Sequence, residues 1–264
     1  MDLHLTDKTA LVTGSTQGIG FAVATGLARE GATVILNGRD ETRLADAHKR
    51  LLDLVPGADV RTVAADVTTV EGSQALTAAE PDVDILVNNV AISAFAAFPD
   101  VTDEEWTRYF DTNVLSTIRL TRHYLPGMLA RKQGRMLFVS ADSAVTSDAD
   151  MLPYAMTKSA LLTVARGIAE LTKGTEVTVN SVLAGPVATE GALEFIRESA
   201  EEQGRSAEEV EAAYFDEFRP TSLLRRPATP EELASLVVYL SSPLAVSTNG
   251  AAVHAEGGTI RTIA

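Results

Sequence analysis

Short apolar stretches alternate along the chain with longer stretches whose apolar residues recur every three or four positions. The short stretches predict β-strands, and the longer ones predict amphipathic helices. The predicted strands cover residues 9–13, 32–36, 60–64, 84–87, 135–139, 177–182 and 251–253. The predicted helices cover residues 18–30, 41–54, 73–79, 154–171 and 230–240, together with a long helix that Thr102 would cap.

The predicted strands are apolar along their whole length, which is typical of a parallel sheet covered by helices on both faces. No linker rich in proline, glycine or serine and no repeat interrupts the alternation. The sequence therefore predicts a single α/β domain over residues 1–264, built on a doubly wound parallel sheet of about seven strands.

Residues 190–226 depart from this alternation, since they are rich in glutamate and alanine and hold only isolated aromatic residues. They predict a helical insertion after the sixth strand. Ligands of such folds bind at the carboxyl ends of the strands, so we interpret the insertion as a substrate lid. A helical pair with no part in the site is the alternative.

Composition and charge exclude several classes of function. Of the 264 residues, 45% are hydrophobic and 22% are charged, as in ordinary globular proteins. The formal net charge of −14 argues against nucleic acids and anionic membranes as partners, because both need a cationic surface. The chain has no cysteine, and its four histidines show no metal-ligand spacing, so no metal site is expected. With neither a secretory signal nor a long apolar run, a cytoplasmic protein is expected.

A glycine-rich segment joins the first predicted strand to the first predicted helix. It reads Gly14-Ser15-Thr16-Gln17-Gly18-Ile19-Gly20. Glycines let a phosphate approach the backbone because they lack a Cβ atom, and a helix N-terminus presents N–H groups to it. The segment therefore predicts a pyrophosphate-binding loop, with a purely structural turn as the alternative.

The end of the second strand bears on the choice between two dinucleotides. An acidic residue about 20 positions beyond the glycine loop would bind the ribose 2′-hydroxyl of NAD. Here Asn37, Gly38 and Arg39 occupy that region, with no carboxylate at position 38. Arginine forms bidentate, charge-assisted hydrogen bonds with phosphate, so we expect NADP(H) to be preferred over NAD(H). An arginine that is merely exposed on the surface is the alternative.

Tyr154 and Lys158 lie four residues apart at the start of a predicted helix and so share one of its faces. A nearby ammonium group favours the phenolate and lowers the pKa of a tyrosine. A tyrosine tuned in this way exchanges a proton near neutral pH. The pair is therefore a candidate acid–base centre, although most pairs with this spacing are simple surface pairs.

The order of these motifs resembles that of the short-chain dehydrogenase/reductase family over essentially the whole chain. The resemblance rests on the glycine loop, Asp66-Val67, Asn88-Asn89-Val90-Ala91, Asn113, Tyr154-x-x-x-Lys158 and Gly185-Pro186. It implies a Rossmann fold, an oxidoreductase activity, a small-molecule substrate and a homotetramer or homodimer.

The resemblance also implies roles for individual residues. Tyr154 would be the general acid or base, and Lys158 would bind the nicotinamide ribose and lower the pKa of the tyrosine. Asn113 would hold a water molecule that relays protons. Contacts with the dinucleotide are implied for the remaining matched positions, which are Asp66, Val67, Asn88, Asn89, Ala91, Pro186, Val187 and Thr189.

The most serious of three departures from the family pattern concerns the catalytic serine; the other two are Val90-Ala91 and Ala184. The family's catalytic serine usually stands where this chain has Ala141. If the chain stays extended beyond the strand, Ser143 points to the same side as Ala141 and replaces the missing hydroxyl. A shorter loop would instead favour Ser140, and a site without a functional serine is the third alternative. Asp142 is expected to be a solvated loop residue, with a substrate contact as the alternative.

Taken together, the sequence predicts an NADP(H)-dependent oxidoreductase that interconverts a carbonyl and an alcohol by hydride transfer. The substrate would lie between the lid and a floor formed by residues 93–98, Val145 and Leu152. These residues are mainly apolar, so an uncharged or partly hydrophobic substrate is expected. The same fold could instead perform dehydration, epimerisation or imine reduction, or serve as a cofactor-binding regulator without turnover.

Overall fold

A seven-stranded parallel sheet forms the centre of the molecule, and the computed structural model describes residues 1–263. The strands lie in the order β3-β2-β1-β4-β5-β6-β7, and every neighbouring pair is parallel. Their bounds are β1 Thr9–Val12, β2 Thr33–Gly38, β3 Val60–Ala64, β4 Ile85–Asn88, β5 Gln133–Ala141, β6 Glu176–Ala184 and β7 Ala252–Ala255. The predicted doubly wound sheet is thus confirmed.

Helices connect these strands and cover the sheet. Their bounds are α1 Gly18–Arg29, α2 Glu41–Leu54, α3 Val70–Ala79, α4 Asp103–Phe110, α5 Ser116–Arg131, α6 Ser143–Thr146, α7 Leu152–Ala169, α8 Glu190–Gln203, α9 Ala207–Glu217 and α10 Pro230–Ser241. A π-helical turn, Asp111–Leu115, joins α4 to α5 without a break. The predicted insertion over residues 190–226 is helical, since α8 and α9 lie within it.

The sheet has an apolar core on each face. Successive side chains of a strand point to opposite faces, and accordingly Leu11 and Val12 of β1 belong to different cores. Residues of α1, α2 and α10 pack into one core, and residues of α3, α5 and α7 pack into the other. Burial on both faces explains why the strands read as continuous apolar runs.

Side-chain caps set several helix ends. Thr102 accepts a hydrogen bond from the Glu105 N–H at 3.2 Å, which confirms the predicted cap. α3 begins at Val70, three residues before the predicted start, because Thr69 Oγ1 accepts from the Gly72 N–H at 2.9 Å. β5 and β6 extend beyond their predicted bounds because they pair with each other over nine residues.

Within residues 1–263, the structure contains no helix with both the length and the apolar character needed to cross a membrane.

Candidate active site

The predicted site residues lie where the strands end. Parallel strands place their carboxyl ends at one edge of the sheet, and the loops that follow β1 to β6 carry the predicted residues there. The strand order reverses between β1 and β4, and this reversal opens the crevice in which such folds bind ligands. The fold therefore gathers residues that are far apart in the sequence.

The glycine loop forms a tight turn between β1 and α1. Gly14 and Gly18 have φ angles of +62° and +54°, which favour glycine. A Cβ atom on Gly20 would lie 2.4 Å from the Gly14 carbonyl oxygen, so helix and loop approach too closely for a side chain. Asn89 Nδ2 fixes the loop, because it donates to the carbonyl oxygens of Thr13 (3.0 Å) and Gly14 (3.2 Å). Asn89 thus shapes the loop from the end of β4.

Two predicted cofactor-binding side chains are bonded within the protein. Ser15 Oγ accepts from the Asn37 N–H at 2.9 Å, and the Ser15 N–H donates to the Asn37 carbonyl oxygen at 2.9 Å. Asn37 Nδ2 donates to the carbonyl oxygens of Val63 and Ala65, both at 3.1 Å. These side chains fasten the loop to β2 and β3, so they shape the crevice rather than reach into it.

The N-terminus of α1 has no side-chain cap from Gln17, the residue before it. Instead, the Gly18 N–H donates to Glu190 Oε2 at 3.0 Å, and Arg50 Nη2 lies 3.8 Å from Glu190 Oε1. The Glu190 carboxylate thus occupies the kind of position in which a helix N-terminus binds anions. Sequence reasoning missed this contact because nothing local connects Glu190, the first residue of α8, to the glycine loop.

The end of β2 leaves no room for an acidic side chain. A Cβ atom on Gly38 would lie 2.6 Å from Thr16 Cγ2, so a carboxylate at this position would have to displace Thr16. The Arg39 side chain is 79% exposed, and its Nη1 lies 4.0 Å from Asp66 Oδ2. Asp66 Oδ1 accepts from the N–H and the hydroxyl of Thr68, at 3.0 and 2.7 Å. Arg39 and Asp66 therefore lie together beside the loop.

Asn88 ends β4 with an amide group that has no protein partner. Its Oδ1 and Nδ2 are both buried and make no hydrogen bond. Buried polar groups are nearly always hydrogen-bonded, so this amide fits a ligand group that can both donate and accept, such as a ribose hydroxyl. Val67 is buried and Ala91 is exposed along the same edge. These residues fit the adenosine half of a dinucleotide.

The loop after β6 turns back towards the glycine loop. Pro186 accepts through its carbonyl oxygen from the Ala228 N–H at 2.9 Å, and Val187 is buried beside it. Thr189 caps α8, because its Oγ1 accepts from the Ala192 N–H at 3.3 Å. The Thr189 methyl group lies 3.2 Å from where a Cβ atom on Gly18 would be. The start of α8 is therefore packed against the start of α1.

Tyr154 and Lys158 lie on one face of α7, as predicted. Lys158 Nζ lies 5.4 Å from the centre of the Tyr154 ring and donates to the Val139 carbonyl oxygen at 2.7 Å. Lys158 is 2% exposed, and this burial lowers its pKa to about 8. Burial, followed by the charges of Asp142 and Tyr109, raises the pKa of Tyr154. The expected lowering of the tyrosine pKa is thus wrong here, because burial of the phenol raises its pKa and the nearby ammonium group does not offset that rise.

Asn113 braces the helix that carries this pair. It lies in the π-helical turn and is fully buried. Its Nδ2 donates to Thr157 Oγ1 and to the Ile92 carbonyl oxygen, both at 3.0 Å, and its Oδ1 accepts from the Ile92 N–H at 2.8 Å. The side chain therefore joins the segment after β4 to α7 between Tyr154 and Lys158. The main-chain carbonyl oxygen of Asn113 also accepts from the Thr117 hydroxyl at 3.2 Å.

The two candidate serines differ in their bonding. Ser140 Oγ is buried in β5 and donates to the Lys158 carbonyl oxygen at 3.0 Å. Ser143 Oγ is also buried, but it has no hydrogen-bond partner. The assumption of an extended chain through Ser143 is wrong, since β5 ends at Ala141 and Asp142 turns into the one-turn helix α6. The unpartnered hydroxyl nevertheless makes Ser143 the stronger candidate for contact with a ligand.

Asp142 belongs to a buried ion-pair cluster, and the expectation of a solvated loop residue is wrong. Its Oδ2 lies 3.0 Å from Arg219 Nε, and its Oδ1 accepts from the Ser143 N–H at 2.8 Å. Arg219 Nη2 also donates to Asp148 Oδ2 at 2.6 Å, and the guanidinium lies over the Tyr214 ring at 5.8 Å. Burial raises the pKa of Asp142, while the Arg219 charge opposes that rise. Sequence reasoning missed Arg219 altogether.

The insertion and the segment after β4 meet beside this cluster. The rings of Phe95 and Phe195 stack with centroids 5.9 Å apart, and the Ala96 N–H donates to the Asp150 carbonyl oxygen at 2.9 Å. A cavity of about 210 Å³ lies here, and it is lined by Phe95, Asp148, Ala149, Asp150, Tyr214, Glu217, Phe218 and Arg219. Three carboxylates and one guanidinium line this cavity, and Val145 and Leu152, which the sequence placed in the floor of the substrate pocket, are not among its lining residues.

Metal ligation finds no support in the described chain. Among residues 1–263, no group of three or more histidine, aspartate or glutamate side chains is arranged to hold a metal ion.

Comparison with known proteins identifies the family to which a chain with this fold and this site belongs. The family model described as short chain dehydrogenase matches residues 8–199. The chain therefore belongs to the short-chain dehydrogenase/reductase family, and the predicted membership is confirmed.

Similar proteins give a closer view of this membership. The chain is 43% identical over 263 residues to the uncharacterized oxidoreductase YvaG of Bacillus subtilis (strain 168), with 100% of both chains covered. It is 32% identical over 260 residues to D-beta-hydroxybutyrate dehydrogenase of Cupriavidus necator, which covers 97% of this chain and 99% of that protein. The structure of L-sorbose reductase from Gluconobacter frateurii complexed with NADPH and L-sorbose matches with a TM-score of 0.93, 31% identity and 100% of both chains covered.

The burial of Lys158 predicts that this side chain lowers the free energy of unfolding by an amount that depends on pH. Its pKa is about 8 in the folded chain and 10.5 ordinarily, so between these values the unfolded chain binds a proton that the folded chain has released. Stability therefore rises with pH across this window. We expect Lys158→Met, measured by urea denaturation without cofactor, to raise the free energy of unfolding by up to about 3 kcal/mol at pH 7. The gain should vanish near pH 10.5.

The matched control is Lys49→Met, which removes an exposed lysine from α2 and should change stability by less than about 0.5 kcal/mol at either pH. A gain for Lys158→Met that is equal at pH 7 and pH 10 would contradict the assignment of the penalty to the buried charge.

Proposed function

We propose that this oxidoreductase reduces a ketone with NADPH and runs the reverse reaction with NADP⁺, with Tyr154 as the proton donor and acceptor. The observation that carries the proposal is the position of Tyr154 and Lys158 on one face of α7, beside the crevice that the glycine loop borders. The unpartnered Ser143 hydroxyl, at the start of α6, and the unpartnered Asn88 amide, at the end of β4, support it.

The residues present fit a nicotinamide dinucleotide. The glycines admit a pyrophosphate, Asn88 offers an amide to a ribose, and Arg39 offers a guanidinium to a 2′-phosphate. When bound, the reduced nicotinamide supplies a hydride to the carbonyl carbon. The L-sorbose reductase structure, which contains NADPH by its description, supports the same cofactor here.

The protein supplies the proton and holds the carbonyl oxygen. The raised pKa keeps the Tyr154 phenol protonated near neutral pH, ready to donate to the oxygen as the carbon is reduced. Lys158, with a pKa of about 8, can then return a proton to the phenolate. Ser143 donates a second hydrogen bond to the same oxygen, which helps to hold the developing negative charge.

The expected assembly rests on the resemblance alone, and the expected location rests on the sequence pattern alone. A homotetramer or homodimer and a cytoplasmic location stay predictions.

Tyr154→Phe tests the acid–base assignment. The variant lacks the transferable proton but keeps the ring, so we expect turnover to fall by about 10²–10⁴-fold. The dissociation constant of NADPH, measured by fluorescence titration, should change less than about twofold, because the phenol oxygen is assigned to the substrate. Turnover is followed as NADPH absorbance lost with a panel of ketoses and simple ketones. Tyr239→Phe, an exposed tyrosine, is the control, and full activity in Tyr154→Phe would refute the role.

Substitution of the two serines should affect different properties, turnover for Ser143 and stability for Ser140. Ser143→Ala removes an unpartnered hydroxyl, so it should leave the free energy of unfolding nearly unchanged while lowering kcat by about 10²–10³-fold. Ser140→Ala loses the bond to the Lys158 carbonyl, so it should cost about 1 kcal/mol in stability and little in rate. Urea denaturation and initial rates measure both effects. The reverse ranking of the rates would show that Ser140 contacts the substrate.

Arg39→Ala tests cofactor preference. A charged hydrogen bond to a 2′-phosphate contributes about 1.5–3 kcal/mol, so the variant should bind NADPH about 10- to 100-fold more weakly. The affinity for NADH should stay within about twofold, since NADH lacks that phosphate. Arg43→Ala, which removes the same charge from the nearby exposed face of α2, is the control. Equal losses for both cofactors would show that Arg39 does not recognise the phosphate.

A further inference from the structure

Arg219 of the insertion binds both ends of the short segment that carries Ser143. Its Nε donates to Asp142 Oδ2 at 3.0 Å, and its Nη2 donates to Asp148 Oδ2 at 2.6 Å. These two carboxylates flank α6, the one-turn helix that begins at Ser143. One guanidinium therefore closes residues 142–148 into a loop, and we call this arrangement the Arg219 clamp.

The clamp holds a segment with an unfavourable backbone conformation. Ser147, which follows α6, has a φ angle of +53°, in the left-handed region that favours glycine. A residue other than glycine keeps such a conformation where the surrounding structure fixes it. The ion pair between Arg219 and Asp148 lies one residue further along the chain and supplies such a fixed point.

Hydrogen bonds hold Ser143 only through its backbone. Within residues 1–263, the buried Ser143 hydroxyl makes no hydrogen bond of its own. The Ser143 N–H donates to Asp142 Oδ1 at 2.8 Å, and the Asp142 N–H donates to the Ala184 carbonyl oxygen at 2.8 Å. The Asp142 carboxylate thus binds the Ser143 backbone through one oxygen and Arg219 through the other.

The helix α7 holds the same turn from another side. Ser159 Oγ of α7 donates to the Ala144 carbonyl oxygen at 2.6 Å, one residue after Ser143. Since α7 also carries Tyr154, this bond connects the candidate serine to the candidate proton donor. The turn is therefore fastened to the acid–base helix on one side and to the insertion on the other.

The Arg219 side chain is buried and fully engaged. Arg219 and Asp142 are 7% and 4% exposed. The remaining guanidinium nitrogen, Nη1, donates to the Phe218 carbonyl oxygen at 2.9 Å, so all three nitrogens bind protein oxygens. A buried ion pair often contributes no more to stability than apolar side chains of similar volume, whereas the planar guanidinium fixes the geometry of its partners.

We propose that Arg219 is a positioning residue for the reaction. It acts through Asp142 and holds Ser143 where the serine hydroxyl donates to the carbonyl oxygen of the substrate. The inference rests on the proposed function, which assigns that hydrogen bond to Ser143. Arg219 touches no reacting atom, so its effect on the rate is limited to what Ser143 contributes. The insertion thereby supports the active site from within the protein.

A double-mutant cycle between Arg219 and Ser143 tests the proposal. Arg219→Lys keeps the charge but replaces the planar fork by one ammonium group, which cannot hold both carboxylates in the same geometry. We expect kcat with NADPH and a reducible ketone to fall by about tenfold, while KM for the ketone changes less than about twofold. In the Ser143→Ala background, the same substitution should lower kcat by less than about twofold. Equal losses in the two backgrounds would overturn the proposal.

A milder variant applies if Arg219→Lys fails to fold. Asp148→Asn opens one end of the clamp and leaves the buried pair of Asp142 and Arg219 intact. It should lower kcat by about threefold or more in the otherwise native chain and leave kcat unchanged in the Ser143→Ala background. An equal loss in both backgrounds would again contradict an effect that acts through Ser143.

Amide hydrogen exchange separates failure of this inference from failure of the proposed function, because it needs no turnover. The N–H groups of Val145 and Thr146 donate to the Asp142 carbonyl oxygen at 2.9 and 3.0 Å. Opening the clamp in Arg219→Lys should speed exchange at these amides and at the Ser143 amide by at least about tenfold.

The matched control is Arg197→Lys, which makes the same exchange on the exposed surface of α8 and should leave both kcat and hydrogen exchange unchanged. Faster exchange in Arg219→Lys alone supports the positioning of Ser143 by Arg219 even if no carbonyl compound is reduced. Unchanged exchange in Arg219→Lys, or the same increase in Arg197→Lys, overturns it, whatever the reaction proves to be.

Discussion

The candidate site depends on keeping one charge, the ammonium group of Lys158, out of water. Burying an ammonium group is unfavourable unless hydrogen bonds replace those it made to solvent. The Val139 carbonyl supplies one such bond, which requires α7 to pack on β5 in a fixed register. Ser140 and Asn113 hold that register from two other directions, since the first binds the Lys158 carbonyl and the second binds Thr157. These three polar contacts of α7 therefore help to position one amine.

The candidate site also contains charges of both signs. Lys158 Nζ lies 5.4 Å from the centre of the Tyr154 ring, and the Asp142 carboxylate adds to the effect of burial in raising the pKa of the phenol. The charge of Arg219 opposes the rise in the pKa of the Asp142 carboxyl group. The Arg219 side chain also joins the insertion to the chain around Ser143. One ion-pair cluster thus joins the insertion to the segment that carries the candidate serine.

Sequence reasoning succeeded where the determining interactions are local. The bounds of α2 agree with the prediction because the Asp40 side chain caps the helix through the Arg43 N–H, and the amphipathic pattern continues to Leu54. The glycine loop was recognisable because its conformation requires glycine at fixed positions. The Tyr154 and Lys158 pair was visible because one helix carries both residues.

The errors arose where contacts join distant parts of the chain. Asp142 and Arg219 are 77 positions apart, so no local pattern could show that either is buried. The conformation after β5 was misjudged because Asp142 bonds to the Ser143 N–H and starts a helical turn. The pKa of Tyr154 was misjudged because the spacing on α7 does not reveal how deeply the rest of the chain buries the phenol.

The π-helical turn between α4 and α5 has a consequence for how this protein can vary. An α-helix rotates by about 100° per residue, so one residue gained or lost in the turn would swing α5 around its axis. Leu120, Tyr124 and Met128 would then leave the core, or the hydrogen bond from Asn113 to Thr157 would be lost. The segment from 103 to 131 therefore tolerates exchange of side chains far better than a change of length, because its length fixes both the packing of α5 in the core and the contact of Asn113 with α7.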